Sequence, residues 1–260
     1  MICKICNSTS VPQFKSTVLN KFEVQYFKCY QCDFLFTEDP NWLKEAYSSA
    51  INITDTGILD RNLRFSKTVS VLIYFLFNKD GKFVDYAGGY GIFTRLMRDI
   101  GFDFYWQDLH CDNLLTRGFE YKPELYKDIE LLTAFEVFEH LVNPMEEIET
   151  MLSISKNIVF STVLLPDQVP KPEDWWYYGF EHGQHISFYS LKTLKYIAAK
   201  FNLNFHTATG LHILTNKKIN LRLFKQILKL SNYGLSLFVR KNMKSRTWND
   251  YLLLKRNLKR

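Results

Sequence analysis

Residues 82–108 read KFVDYAGGYGIFTRLMRDIGFDFYWQD and carry the strongest structural signal in the 260-residue chain. Lys82–Ala87 has the apolar character of a buried strand, and the glycines that follow predict a tight turn. From Ile92 the apolar residues recur with helical spacing until Gly101, a residue that commonly ends helices. A second apolar strand then leads to Asp108. The stretch therefore predicts a β-α-β unit, the building block of a parallel sheet.

The turn and the acid after the second strand have the features of a nucleotide site. Glycines let a ligand approach the backbone at the N-terminus of a helix, and an acid about 20 residues further on binds ribose hydroxyls. Here the glycines are Gly88, Gly89 and Gly91, and the acid is Asp108. A dinucleotide-binding turn has a third glycine at the position of Thr94, so hydride transfer is disfavoured.

Strands and helices continue to alternate beyond this unit, which predicts a parallel sheet with ligands at the carboxyl ends of its strands. The chain has a helix start at Asn143-Pro144, and Ser190 caps a predicted helix that runs to Lys200. The further predicted strands are Glu130–Phe135, which ends at Glu136, Asn157–Val163, and the pair Leu203–Ala208 and Leu211–Thr215, which forms a closing hairpin.

Three of these segments, Val84–Gly91, Asp108 and Phe135–Leu141, resemble the motifs of class I S-adenosylmethionine-dependent methyltransferases. The resemblance implies an α/β, Rossmann-like fold with a mostly parallel seven-stranded sheet and an antiparallel closing hairpin. It also implies S-adenosylmethionine as the cofactor. The residues expected to bind it are Asp85, Ala87, Gly88, Gly89, Gly91, Asp108 and Glu136, together with Tyr47 from the segment before the core. Ala87 stands where the family usually has its first glycine.

Four of the five cysteines form two CxxC pairs, Cys3/Cys6 and Cys29/Cys32. This spacing lets both thiolates of each pair reach one tetrahedral zinc ion. Four cysteines fill the tetrahedron, so we expect structural rather than catalytic zinc, in a small zinc-ribbon-like domain over residues 1–40. The segment between the pairs is too small to form its own core, and a metal supplies the missing folding energy. The alternative is four unrelated thiols.

A second chemical signal is the stretch WWYYGFEHGQH at residues 175–185, which follows a proline-containing loop of the length typical of lids. A histidine takes up a proton near neutral pH, and an adjacent carboxylate orients it and raises its basicity. We therefore expect His182, assisted by Glu181, to act as a general base. The candidate catalytic residues are His182, Glu181, His185, His140 and Tyr178, the last as a substrate contact. The alternative is that these histidines only satisfy buried carbonyls.

The order of these segments as a whole resembles the sugar C-methyltransferases that act on nucleotide-linked ketosugars. In that group a tyrosine-rich stretch followed by Glu-His lies at the sugar site. The resemblance implies a small-molecule acceptor, namely a sugar nucleotide or another sugar of polysaccharide pathways. The expected divisions are a zinc-binding domain (1–40), a helical connector (41–79), a methyltransferase core (80–216) and a basic helical tail (217–260).

Composition limits the class of protein. Hydrophobic residues make up 47% of the chain and charged residues 23%, values of an ordinary globular protein that exclude intrinsic disorder. The longest apolar run, Val71–Phe77, is far too short to cross a bilayer, and no signal-peptide pattern opens the sequence. We therefore expect a cytoplasmic protein.

The charge is distributed unevenly. Thirteen of the 33 Lys and Arg residues, but one of the 27 acids, lie after residue 216, so an acidic body carries a basic tail. Residues 219–239 have a basic amphipathic pattern compatible with an anionic membrane surface, a nucleic-acid backbone or a partner protein. The simplest interpretation is a helix that packs on the acidic body and keeps a solvated charged face.

Three functions are compatible with the sequence, and a small-molecule methyltransferase is favoured. An RNA methyltransferase is suggested by the zinc ribbon and the basic tail. Base-amino methyltransferases resemble one another in an Asn/Asp-Pro-Pro-aromatic turn, whereas this chain has Phe135-Glu136-Val137 there, so a nucleic-acid acceptor is disfavoured. A non-catalytic scaffold is favoured only by Ala87 and opposed by the intact Asp85 and Asp108.

Overall fold

The computed structural model describes residues 1–48 and 52–258. Its strands are β1 (Val11–Val18), β2 (Phe22–Lys28), β3 (Leu35–Thr37), β4 (Lys82–Tyr86), β5 (Asp103–Gln107), β6 (Ile129–Phe135), β7 (Asn157–Ser161), β8 (Ser187–Phe188), β9 (Asn204–Ala208) and β10 (Leu211–Thr215). Its α-helices are α1 (Leu43–Ala46), α2 (Ile58–Leu76), α3 (Ile92–Ile100), α4 (Pro144–Ile154), α5 (Leu191–Lys200), α6 (Leu221–Leu230), α7 (Ser236–Asn242) and α8 (Thr247–Asn257). None of the helices within these described ranges has the length and apolar character needed to span a membrane.

The larger sheet has the strand order β5-β4-β6-β7-β10-β9. Strand β4 pairs in parallel with both β5 and β6, and β9 and β10 form the antiparallel hairpin. This is the mixed α/β, Rossmann-like fold that the sequence predicts. Six strands form the sheet in the described part of the chain, not the expected seven. Between β5 and β6 in sequence, Glu120 contributes only an isolated parallel bridge to Trp106 of β5. The Asp, Asn, Gly and Pro residues of this segment favour turns over an extended strand.

Contacts divide the chain into two compact units. The first consists of Met1–Asn52, Phe135–Ser153 and Val159–Asn216. The second consists of Ile53–Ala134, Ile154–Ile158 and Lys217–Arg260. The first unit therefore holds the cysteine pairs and the histidine-rich stretch, and the second holds the glycine turn and the basic tail.

In the first unit the smaller sheet has the order β1-β2-β3-β8, and its neighbouring strands are antiparallel. Its core is aromatic: Tyr26, Trp42, Tyr178 and Phe188 are almost fully buried in one cluster. The Trp42 indole also donates a hydrogen bond of 2.8 Å to the carbonyl of Gly183. The aromatic stretch thus completes a core that the N-terminal strands are too few to form alone.

In the second unit the sequence pattern of the β-α-β stretch is realised within one residue at each boundary. Helix α3 buries Phe93 and Met97, and its C-cap Gly101 has a φ of 132°. That backbone conformation is open to glycine and strained for other residues. The apolar spacing and the glycine stop were therefore sufficient to place this helix.

The tail of the second unit is not one amphipathic helix over 219–239. Helices α6 and α7 are separated by a kink at Tyr233 and Gly234, where Gly234 has a φ of 96°. Helix α8 then carries Asp250, whose buried carboxylate forms bonds of 2.7 and 2.8 Å with the Arg98 guanidinium. This buried ion pair ties α8 to α3.

Candidate functional site

The glycine turn after β4 forms a cradle of small residues in the second unit. Ala87 and Gly91 adopt positive φ angles of 53° and 83°. A Cβ atom at Gly88 would lie 2.7 Å from the Asp85 carboxylate, and one at Gly91 would lie 2.6 Å from the Thr116 hydroxyl. Side chains of the protein itself therefore require glycine at both positions, and the turn is left partly exposed at Gly88 and Gly89.

Asp85 lies beneath this turn. Its side chain is buried and accepts hydrogen bonds of 2.9 Å from the hydroxyls of Thr94 and Thr133. Burial raises the pKa of Asp85 to about 7, with a smaller contribution from the charge of Asp108, while the two hydroxyls oppose the rise. Asp85 therefore positions the turn indirectly, through its hydrogen bonds to Thr94 and Thr133.

Asp108 holds the other side of the turn. Its Oδ2 accepts a hydrogen bond of 2.9 Å from the Gly89 amide, and its Oδ1 accepts bonds of 2.7 and 2.9 Å from the amides of His110 and Cys111. A carboxylate offers about four lone-pair positions, so one is left for a ribose hydroxyl.

Gln107, at the end of β5, has a hydrogen-bond acceptor that lacks a donor among the described residues, and the sequence did not predict a role for it. Its side-chain carbonyl oxygen is buried and has no hydrogen-bond partner in the part of the chain that the structure describes. Such an oxygen is costly unless a donor reaches it. A ligand with N–H or O–H donors, such as an adenosine, provides one. The cradle, Asp108 and Gln107 therefore fit S-adenosylmethionine, and the only sequence signal for Gln107 is its position next to the acid.

The remaining two expected cofactor residues, Glu136 and Tyr47, belong to the first unit. Glu136 has a φ of 54°, its amide donates to the Ser161 hydroxyl, and that hydroxyl donates back to the Glu136 carboxylate. A non-glycine residue in this strained conformation at a strand end is typical of functional sites. The Tyr47 hydroxyl lies 2.9 Å from Nδ1 of His140. Tyr47 thus contacts the histidine cluster.

His140, His182 and His185 form this histidine cluster in the first unit. The ring centroid of His185 lies 4.9 Å from that of His140 and 4.7 Å from that of His182. Burial lowers the pKa of His140 to about 4 and holds the pKa values of His182 and His185 below the usual range. The exposed Glu181 opposes this shift at His182. All three rings are therefore neutral at pH 7.

Hydrogen bonds define which nitrogen of each ring carries the proton. Nδ1 of His185 lies 2.7 Å from the Tyr177 carbonyl, which can only accept, so this nitrogen is the donor and Nε2 carries the lone pair. Nδ1 of His140 lies 2.9 Å from the Tyr47 hydroxyl and 3.1 Å from the Gln184 carbonyl. In the tautomer that donates to this carbonyl, the His140 lone pair is also on Nε2. His182 is the reverse case: its Nδ1 accepts a bond of 3.1 Å from the Gln184 amide, and its proton is on Nε2.

Within the aromatic part of the stretch, Tyr178 was expected to contact the substrate. Tyr178 is 1% exposed, and its hydroxyl donates to the Pro170 carbonyl at 2.8 Å. Tyr177 is equally buried, whereas Trp176 is 78% exposed. The structure therefore places Tyr178 in the core rather than in contact with a substrate. The small antiparallel sheet needs these rings for its core, which the sequence pattern does not show.

Gly179 keeps room for His182. It has a φ of 59°, and a Cβ atom there would collide with the Nε2 edge of the His182 ring. The glycine in WWYYG is therefore required both by its backbone conformation and by the histidine packed against it.

The four cysteines converge as the spacing predicts. Their Sγ atoms all lie within 4.8 Å of one another, with Cys3 and Cys32 3.5 Å apart and Cys6 and Cys29 3.4 Å apart. Tetrahedral zinc with bonds of about 2.3 Å needs sulfur atoms about 3.8 Å apart. The hydrogen bond from Cys32 lowers the pKa of Cys3 to about 5, the same bond raises the pKa of Cys32, and burial raises the pKa of Cys29. The cluster therefore has the residue types and the spacing of a structural zinc site.

Comparison with known proteins identifies one family. A family model described as "Methyltransferase domain" matches residues 60–208. No protein with curated annotation matches the sequence.

Several solved structures are partly similar to this chain. TnmH is 13% identical, the match covers 67% of this chain and 60% of that one, and the TM-score is 0.45. A magnesium protoporphyrin IX methyltransferase from Synechocystis PCC 6803 with bound SAH is 12% identical over 66% of this chain and 90% of that one, with a TM-score of 0.42. An O-methyltransferase family protein from Burkholderia thailandensis is 12% identical over 70% and 65%, with a TM-score of 0.45. The match thus spans less than two thirds of the length of TnmH.

Proposed function

Because this chain belongs to the methyltransferase domain family, we propose that it transfers the methyl group of S-adenosylmethionine to a small-molecule acceptor. The observation that supports this most strongly is the cradle after β4, where Asp108 and the unpartnered Gln107 carbonyl adjoin the accessible turn. When bound, the cofactor supplies a methyl group activated by its sulfonium.

The histidine cluster is the proposed site of the acceptor. Its rings are neutral, and the free Nε2 lone pairs of His140 and His185 can take a proton from a hydroxyl or from the carbon beside a ketone. The sequence assigned this role to His182 with Glu181. In the observed hydrogen-bond arrangement the protonated Nε2 of His182 is a donor, which suits it to stabilise the oxygen of the acceptor as charge develops there.

We further propose that the acceptor is a sugar, carried on a nucleotide or drawn from a polysaccharide pathway. Sugars present hydroxyl and carbonyl oxygens, which match a site that combines a donor on His182 with acceptor nitrogens on His140 and His185. The exposed Trp176 offers an aromatic face of the kind that stacks on sugar rings.

The remaining predictions from the sequence concern the zinc ion, the division of the chain, its location and the role of the basic tail, and we keep them as proposals. The cysteine cluster holds one structural zinc ion, and the divisions 1–40, 41–79, 80–216 and 217–260 describe the functional segments. A cytoplasmic location and contact of the basic tail with an anionic membrane surface are likewise predictions.

The test is methyl transfer from radiolabelled S-adenosylmethionine to three acceptors: a nucleoside-diphosphate ketosugar, a nucleoside-diphosphate sugar without a ketone, and generic RNA. We expect label in a sugar nucleotide. His185→Ala should lower the rate by about 10²–10⁴-fold, the usual range for a lost proton-transfer group, and leave cofactor affinity unchanged.

His206→Ala is the matched control, since His206 is a half-buried histidine of β9 outside the cluster, and its rate should equal that of the parent. Label found only in RNA would replace the sugar by a nucleic-acid acceptor. Cofactor binding without label in any acceptor would contradict the sugar proposal and leave the cofactor site standing.

A further inference from the structure

Three side chains with metal-ligand chemistry converge in the first unit away from the cysteine cluster. They are Glu139, His140 and His185, and one ligand atom from each lies within 4.8 Å of the others. Sequence reasoning quoted Glu139 only as part of a motif and gave it no role.

Glu139 is the unusual member. Its side chain is fully buried, and neither carboxyl oxygen has a hydrogen-bond partner in the described parts of the chain. Burial raises the pKa of Glu139 to about 8, while the hydroxyls of Tyr177 and Thr162, which bond to each other at 3.1 Å, favour its charged form. Neither hydroxyl meets hydrogen-bond geometry with the carboxyl oxygens. A buried carboxyl group without a partner is unfavourable in either protonation state, so its presence points to a missing ligand such as a cation.

The two histidines are arranged as metal ligands usually are. A histidine that binds a metal through one nitrogen commonly donates its other ring N–H to a backbone carbonyl, which fixes the tautomer and the ring orientation. Nδ1 of His185 has the Tyr177 carbonyl as its acceptor, and Nδ1 of His140 has the Gln184 carbonyl within reach beside the Tyr47 hydroxyl. Both Nε2 lone pairs are thereby left for a ligand.

We propose that Glu139, His140 and His185 bind a divalent transition-metal ion through one carboxylate oxygen and two Nε2 atoms. Two imidazoles and one carboxylate suit Zn²⁺, Fe²⁺, Mn²⁺ or Co²⁺. Bonds of about 2.1 Å require ligand atoms about 3.0–3.4 Å apart, and the atoms here lie within 4.8 Å of one another, so small side-chain adjustments complete the site.

Three protein ligands leave at least one open coordination position, in contrast to the closed set of four cysteines. An open metal polarises an oxygen bound to it. The catalytic consequence of this inference rests on the proposed function: the metal, rather than a bare Nε2 lone pair, would act on the acceptor oxygen. Metal binding itself does not depend on methyl transfer.

The experiment starts from full-length protein with one zinc ion in the cysteine cluster, confirmed by elemental analysis. Cobalt(II) is then titrated into the zinc-loaded protein while visible absorption and heat are recorded. We expect one further equivalent to bind, with d–d bands and without a sulfur-to-cobalt charge-transfer band, because the new ligands contain no sulfur. Glu139→Gln and His185→Ala should each weaken this binding at least about 100-fold.

His206→Ala serves as the matched control and should bind cobalt like the parent. Glu139→Gln must retain the parent's circular dichroism, and His185→Ala, whose ring is less buried, keeps the test decisive if the glutamine variant does not fold. Failure of the folded parent to bind a second equivalent, or equal binding by parent and His185→Ala, would overturn the proposal. Cobalt binding without methyl transfer would contradict the proposed function instead.

Discussion

Ala87 is the one residue that departs from the expected glycine pattern, and the structure shows the consequence. It holds a φ of 53°, a left-handed conformation that costs a residue with a Cβ about 1–2 kcal/mol. The turn keeps its shape with alanine, so the departure strains the cradle and does not remove it.

Ala87→Gly should therefore stabilise the protein. Relief of the left-handed strain outweighs the greater flexibility of glycine in the unfolded chain, and we expect a gain of about 0.5–1 kcal/mol in the free energy of unfolding. Urea denaturation measures it. Ala199→Gly, at an exposed position of α5, makes the same chemical change in a right-handed helix and should destabilise by about 1 kcal/mol. If both substitutions changed the free energy of unfolding in the same direction, the result would contradict the strain at Ala87.

Asp85 predicts a dependence of stability on pH. Its pKa is raised to about 7 in the folded protein, against about 3.9 in the unfolded chain, so the folded state holds the proton more tightly. This group's contribution is fully present below pH 4 and is lost as the pH rises through 7.

Asp85→Asn removes that titration. We expect the stability of the variant relative to the parent to rise by about 4 kcal/mol between pH 4 and pH 8, the equivalent of three pKa units. Urea midpoints measured across this range provide the test. Parallel profiles for parent and variant would show that the Asp85 carboxyl is not perturbed by burial.

At the scale of secondary-structure elements, local sequence patterns correctly predicted the helices whose ends depend on neighbouring residues. The spacing of Phe93 and Met97 and the stop at Gly101 predicted α3, and Ser190 caps α5 as expected. The seventh strand and a continuous tail helix were not realised, because turn-forming residues interrupt the first and the Tyr233-Gly234 kink breaks the second. The partner of a buried charge such as Asp250 is set by tertiary packing, which no local pattern reports.

The ion pair between α3 and α8 should contribute to the free energy of unfolding and keep α8 in place. Asp250→Ala leaves the buried Arg98 guanidinium with hydrogen bonds to Asp103 and the Phe104 carbonyl, and we expect a loss of about 3 kcal/mol in the free energy of unfolding. Urea denaturation gives the loss, and hydrogen exchange should show α8 opening. Asp60→Ala, which breaks the exposed pair with Arg64 on α2, should change stability by no more than about 0.5 kcal/mol. Similar losses for both variants would contradict a specific anchor.

At the scale of the whole molecule, the sequence identified the chemistry of the site better than its detailed geometry. The cysteine spacing and the glycine turn with its acid could be read directly because each is set by local spacing. Glu139 and Gln107 could not be found, since a buried oxygen without a partner is visible only after folding. Tyr178 was predicted to contact the substrate because the sequence alone does not distinguish an exposed aromatic side chain from one packed in the core.

The central claim, a working S-adenosylmethionine pocket built on the β4 turn, is tested most directly by calorimetric titration of S-adenosylhomocysteine into the zinc-loaded protein. We predict binding with a micromolar Kd, weakened at least about tenfold, or 1.4 kcal/mol, in Asp108→Ala and unchanged in the exposed neighbour Asp112→Ala. No heat and no thermal stabilisation of a protein shown to be folded would contradict the account and leave a scaffold without a cofactor.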